Sequence, residues 1–342
     1  MKPSIYIWVI SPNEFNSLFI QVKYHVEILL KLYGVEPTIL HPKINNVRQK
    51  LKEIQQNGDL LFWHYGSFDK YLIGLNTSKI IFVYHNITPA HFFWKDDFLV
   101  GLKSCAGQFQ LKTISKSSKW ITMSSFNKSE LTKMGFKNIK IFPNIIEKQK
   151  IDVRKNEEPS LLYVGRISPN KNCIELLRAV KKVCNSTTRT IVFTIVGNGK
   201  NKCKYFKKFK KELEVLSLLS NLKLIWKTNL NVEELSIIYK QSWLYISSSK
   251  HEGFGVPACE SILHGTPALY FSCGGQESVL LNQGLIPVLD ETNFHERILE
   301  MLNDKIELNK LLENQLSIVE NYEILNVLQN SKLVFDDYFS SL

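Results

Sequence analysis

Short apolar runs alternate with stretches of helical spacing along this chain, and the pattern runs through twice. Ile5–Ile10 (IYIWVI) is apolar on both faces and too short for an independent helix, as expected of a strand buried on both sides. Leu18, Val22, Val26, Leu29 and Tyr33 then recur at helical spacing, and Gly34 follows as a C-cap. Further strands are expected at 35–40, 59–65, 80–85 and 120–124, and segment 139–142 ends at Pro143-Asn144. Residues 144–159 (NIIEKQKIDVRKNEEP) are polar and unpatterned, which reads as a linker. The alternation restarts with strands at 161–167, 192–196, 222–226, 243–247 and 268–271. The end is helical, with a Leu/Ile-rich stretch at 298–319 and a segment from Tyr322 to Phe339. Such alternation makes parallel sheets covered on both faces, and ligands bind at the carboxyl ends of their strands. The expected division is therefore a domain over 1–145, a linker over 146–159, a second domain over 160–320, and a final helix over 321–342 crossing back to the first.

Several classes are excluded. No apolar run approaches the ~20 residues needed to span a bilayer. The N-terminal run is too short for a signal-peptide core, so a cytoplasmic location is expected. The six cysteines form no Cys-x-x-Cys pair, and no His/carboxylate cluster has metal spacing, so no metal is expected. The net charge of +11 is uneven. Residues 1–150 carry 20 Lys/Arg against 10 Asp/Glu, and residues 151–342 carry 23 against 22. The basic first half reads either as a surface for an anionic partner (membrane, diphosphate lipid or nucleic acid) or as a generally lysine-rich solvated surface. Seven lysines between 200 and 211 surround the apolar face Phe206, Phe209, Leu213, Leu216 and read as a solvated helix face.

Chemistry-bearing residues concentrate in three pieces of the second half. In KHEGFGVPACESILHG (250–265), Glu252 lies in a glycine loop after a strand and Glu260 one turn into the next helix. Gly253 and Gly255 let backbone approach a ligand, Pro257 suits a first helical turn, and Gly265 ends the helix. The free N–H groups at that helix start can seat a phosphate. The spacing favours two ends of a grip on one elongated ligand over a carboxylate dyad. In LLYVGRISPNKN (161–172), Gly165 ends a strand, and Arg166 and Lys171 can neutralise a diphosphate. Gly197-Asn198-Gly199 forms a turn after a strand, either under a nucleotide or merely tight.

Together these pieces resemble the retaining glycosyltransferases of family 4. The Glu-x7-Glu element is Glu252-GFGVPAC-Glu260, followed by His264-Gly265-Thr266-Pro267, and the Gly-Arg…Lys element is Gly165, Arg166, Lys171. Gly274-Gly275-Gln276-Glu277, Ser124-Ser125 and Phe142-Pro143-Asn144 match as well. The resemblance implies the α/β GT-B fold, two Rossmann-like doubly wound domains facing each other across a cleft. It implies that Arg166 and Lys171 bind the donor diphosphate, and that Glu252 with the backbone of Phe254 and Gly255 contacts the donor sugar. Glu260 would hold the ribose, Val256 the nucleotide, and Gly165, Asn198 and Gly199 would line the same donor. Tyr84-His85-Asn86-Ile87-Thr88-Pro89 is similar to a segment of enzymes building bacterial surface polysaccharides, which puts His85 near the sugar and acceptor. His64 is a weaker candidate. The glycine-rich loop common after the family's first strand is missing, since 11–19 reads SPNEFNSLF; Asn13 and Asn16 are available to substitute.

The implied activity is transfer of a hexose-type sugar from a UDP- or GDP-linked donor, with retention and without cofactor or metal, to a lipid-linked or polysaccharide hydroxyl. The expected partners are that donor, that acceptor and an anionic membrane surface. A basic nucleic-acid-binding protein is the alternative from charge alone, but no nucleic-acid motif is visible. A nucleotide-sugar isomerising enzyme of the same fold, or an inactive partner subunit, would keep the same donor site.

Overall fold

The computed structural model describes residues 4–12, 17–287 and 292–339. Asn13 and Asn16 therefore lie outside the described residues. The chain divides into two compact units. One comprises Met1–Ala90, Leu99–Ile145 and Ile324–Leu342; the other comprises His91–Phe98 and Ile146–Glu323.

The first unit is built on six parallel strands: β1 (Ile5–Trp8), β2 (Thr38–Leu40), β3 (Leu60–Tyr65), β4 (Ile81–Tyr84), β5 (Lys119–Thr122) and β6 (Ile139–Ile141). Their order in the sheet is β2-β1-β3-β4-β5-β6. The helices are α1 (Ser17–Tyr33), α2 (Val47–Asn57), α3 (Phe98–Thr113) and α4 (Ser125–Lys133). Gly34 ends α1 in the left-handed region at φ 67° and returns its N–H to Leu30. Every residue of β3 is buried, as a both-sided strand requires. Stacked rings fill the space beside it, with Trp8 on Trp63 at 4.9 Å and Phe82 on Trp120 at 4.6 Å.

The second unit repeats the architecture with β7 (Ser160–Val164), β8 (Ile191–Val196), β9 (Leu222–Lys227), β10 (Leu244–Ser247), β11 (Ala268–Phe271) and β12 (Leu285–Ile286). All pairs are parallel and the order is β12-β11-β10-β7-β8-β9. Around the sheet lie α5 (Cys173–Asn185), α6 (Lys204–Leu216), α7 (Val232–Gln241), α8 (Val256–Leu263), α9 (Gly275–Val279), α10 (Phe294–Asn303) and α11 (Lys305–Val319). Phe206, Phe209, Leu213 and Leu216 form the buried face of α6, while Lys208 bonds Asp96 at 3.1 Å at the surface.

Two places differ from a plain reading of the pattern. The apolar stretch 298–319 is two helices, because the Asp304 carboxylate accepts the N–H groups of Ile306 and Glu307 and caps a new start. The polar stretch 146–159 is tied to the second unit. Lys155 Nζ bonds the Gly265 carbonyl at 2.7 Å, and Trp243 Nε1 donates to the Asn156 carbonyl at 2.7 Å. The last helix, α12 (Ile324–Phe339), packs in the first unit, where Phe335 meets Phe62 and Phe142 and the Tyr338 hydroxyl donates to the Trp120 carbonyl. No helix among the described residues is long and apolar enough to cross a membrane.

Candidate active site

The ends of β7, β8 and β10 carry the second unit's candidates. Gly165 N–H bonds Val196, and Ile167 N–H bonds the Asn198 carbonyl at 2.9 Å, so the loop holding Arg166 lies against the 197–199 turn. A Cβ on Gly197 would stand 1.9 Å from the Gly165 carbonyl oxygen, which restricts that position to glycine. Gly199 has a packing reason of its own, since a Cβ there would sit 2.1 Å from the Phe206 ring. Asn198 donates to Asn229 at 2.7 Å. Arg166 is exposed at the loop tip.

Lys171 and Glu252 meet although 81 residues separate them. Their side chains form an ion pair, each 14% exposed. Hydrogen bonds to the flanking backbone fix both partners. Ser248 Oγ donates to the Asn172 carbonyl at 2.9 Å, and Lys250 N–H bonds Asn170 at 2.9 Å. Glu252 N–H bonds Cys273, and its carbonyl accepts from Gly275 N–H, both at 2.8 Å. Glu277 Oε1 accepts from Ser272 Oγ at 2.9 Å and Gly274 N–H at 2.7 Å, and also from Cys273 N–H, closing the turn that supports Glu252.

Past Glu252 the Phe254 side chain turns inward onto Tyr322. Gly255 starts α8 at φ 90°, a conformation that favours glycine, and Val256 is the first helical residue. Glu260 sits one turn on, where Oε2 accepts the Tyr239 hydroxyl at 2.8 Å. The Tyr239 ring stacks on His264, whose Nδ1 is 2.7 Å from the Glu260 carbonyl. Cys259 beside it is fully buried. Tyr239 had no sequence signal, because it lies on a different helix.

Burial pushes the Glu260 carboxyl from its ordinary 4.5 up to about 7, against the opposing Tyr239 hydrogen bond. A carboxyl whose folded pKa is raised adds stability that is complete below about 4.5 and is lost as pH rises through 7. Glu260→Gln is neutral throughout. It is expected to melt like wild type near pH 4 and to gain up to about 3 kcal/mol over it above pH 8. Paired thermal melts across that range check this; equal melting at both ends would refute a Glu260 carboxyl raised to about 7.

In the first unit His85 follows β4 and is joined to two further imidazoles. His85 Nε2 lies 2.7 Å from His64 Nδ1, and His64 Nε2 lies 3.3 Å from His25 Nδ1. The His64 and His85 rings stack at 4.9 Å. Burial lowers His25 to about 4 and His85 to about 3, and lowers His64 well below its ordinary value, so all three are neutral at pH 7. Asn86, next in the chain, donates to Asn127 and to Glu130, each at 2.7 Å. His25 and Glu130 were not signalled by the sequence.

The model of a family described as glycosyl transferases group 1 matches residues 144–317. A poly(glycerol-phosphate) alpha-glucosyltransferase of Bacillus subtilis is 25% identical over 179 residues, covering 51% of this chain and 25% of that protein. An uncharacterized glycosyltransferase of Methanocaldococcus jannaschii is 26% identical over 305 residues, covering 88% of this chain and 79% of its own. The chain thus spans about a quarter of the Bacillus relative. The Anabaena protein HepE, solved in complex with UDP and glucose, superposes with a TM-score of 0.69 at 14% identity over 99% of this chain and all of that one. That likeness is one of fold, two doubly wound six-stranded parallel sheets of the GT-B kind.

Proposed function

Since this chain belongs to the group 1 glycosyl transferases, we propose that it moves a hexose-type sugar from a UDP- or GDP-linked donor to a hydroxyl of a lipid-linked or polymeric glycan, with retention at the anomeric carbon. The Lys171–Glu252 ion pair is the observation that carries this reading. In a nucleotide-sugar the diphosphate is bonded directly to the sugar. A site for it needs a cation and a hydroxyl-binding carboxylate side by side, and this pair supplies both. Arg166 and Lys171 neutralise the charge that grows on the leaving diphosphate, which lowers the barrier without a metal ion. Glu252 and the backbone N–H groups of Phe254 and Gly255 hold the sugar. Val256 packs on the nucleotide, Glu260 takes the ribose hydroxyls, and Gly165, Asn198 and Gly199 line the donor loops. His85 is the first unit's residue for the sugar or acceptor.

The Bacillus relative acts on poly(glycerol-phosphate), which favours a cell-surface polymer as acceptor class here too. The +10 excess of residues 1–150 over a nearly neutral remainder favours work at the inner face of an anionic membrane. A thermal-shift panel of UDP-, GDP-, dTDP- and ADP-sugars tests the donor. A ligand bound only by the folded state raises the melting temperature, so a rise of several degrees with one base at millimolar sugar is expected. No rise with any of them would sink the reading. Product analysis with donor alone separates transfer from isomerisation.

A further inference from the structure

Helix α3 is built inside out. Its buried side holds Gly101, Ser104, Gly107, Gln110 and Leu111, mostly small or polar residues. Polar bonds anchor that side. Gln110 accepts from the Asp69 N–H at 2.9 Å and donates to the Asp69 carbonyl at 2.8 Å. The Tyr65 hydroxyl donates to the Gly107 carbonyl at 2.8 Å. A Cβ on Gly107 would be 2.7 Å from the Phe68 nitrogen, so the helix lies hard against that loop.

The opposite side is apolar and open. Leu99 and Phe109 are each 70% exposed, Phe98 58% and Leu102 45%. Phe98, Leu102, Cys105 and Phe109 follow at spacings of four, three and four, which makes one continuous stripe. Lys103 and Lys112 fall on its two margins. An ordinary surface helix is oriented the other way, apolar side in. From Phe98 to Ser129 the chain has five lysines, at 103, 112, 116, 119 and 128, and no acidic residue.

We propose that α3 is an interfacial helix, whose Leu99, Leu102 and Phe109 enter the acyl boundary of an anionic leaflet while Lys103 and Lys112 bind its headgroup phosphates. This rests on the membrane-surface reading above and names the element that performs it. The nearest acids, Asp96 and Asp97 at the helix start, are ion-paired with Lys208 and Lys200, which leaves the lysines of the margin to meet lipid phosphates, and an exposed apolar stripe between basic edges can enter the acyl boundary. Net basicity alone gives attraction to the surface; the stripe supplies insertion.

Cys105 gives the test its reporter, since it is the exposed cysteine in the stripe and the other five are buried. The full chain, labelled there with an environment-sensitive fluorophore, is mixed with phosphatidylcholine vesicles containing none or about 30% phosphatidylglycerol. With the anionic vesicles the emission is expected to shift to the blue and to be quenched by nitroxide on the lipid acyl chains. The L102E/F109E variant is expected to bind these vesicles about tenfold or more weakly, with its melting temperature and nucleotide-sugar thermal shift unchanged. Equal vesicle binding by the variant, or equal binding of wild type to neutral vesicles, overturns the proposal. So does a blue shift that grows with protein concentration without lipid, which would assign the stripe to a second copy of the chain. Wild type that binds no vesicle overturns the surface reading as well, whereas wild type that binds vesicles but no nucleotide-sugar sinks only the transferase reading.

Discussion

Lys171→Ala is expected to lower glycosyl-transfer turnover by about 10²–10³-fold, the range seen when one preorganised charge-stabilising group is removed. Two effects combine in this variant, and the ion pair separates them. The substitution leaves the Glu252 carboxylate, only 14% exposed, without its cation. That loss is expected to cost about 1–3 kcal/mol of stability. The double variant Lys171→Ala/Glu252→Gln removes the stranded charge. It is expected to regain most of the stability and none of the turnover. Because the two residues touch, their effects on turnover are expected to fall short of the product of the single losses. Single-turnover rates and thermal melts on the four proteins of this cycle measure both quantities. Wild-type turnover in Lys171→Ala would remove Lys171 from the chemistry.

A large effect on folding is expected at Gly275. A Cβ there would stand 2.1 Å from the Gly253 oxygen, 2.2 Å from its carbonyl carbon and 2.6 Å from the Glu252 oxygen. All three are backbone atoms, so no side-chain rotation relieves the clash. The 252–255 loop has to move, and it carries Glu252 away from Lys171. Gly275→Ala is expected to cost more than about 3 kcal/mol and to abolish the donor-induced thermal shift. Gly265→Ala is the control. Its backbone is left-handed, φ 83°, with nothing within 4 Å of its Cβ, and the substitution is expected to cost about 1 kcal/mol. Equal denaturant midpoints for the two variants would show that the contact at Gly275 is harmless.

What the sequence made legible was local. Strand positions could be read because a parallel strand buried on both faces leaves a nearly continuous apolar run, as at β3 and β8, interrupted only by His64 and Thr194. The glycine loop and helix start at 253–257 could be read because glycine and proline act on their own backbone. Contacts across the chain were not legible. Nothing near Lys171 announces Glu252, and nothing near Glu260 announces Tyr239 from α7. His25 sits among Val22, Val26 and Leu29, whose spacing predicts a helix but does not say which side meets another imidazole. The division of 298–319 was missed because a single capping carboxylate, Asp304, outweighed the continuity of the apolar pattern.

The three histidines have a consequence for hydrogen-bonding sense. Each neutral ring carries one proton and one lone pair, so the rings cannot choose tautomers independently. If His25 donates from Nδ1, His64 must donate from Nδ1 as well, and the proton of His85 is left on its own Nδ1, which is then a donor. If the His85 proton sits on Nε2, the order reverses along the line and Nδ1 becomes an acceptor. A line of 2.7 Å and 3.3 Å contacts thus behaves as a wire with two settings. Helix α1, through His25, shares control over whether the residue after β4 offers a proton or takes one.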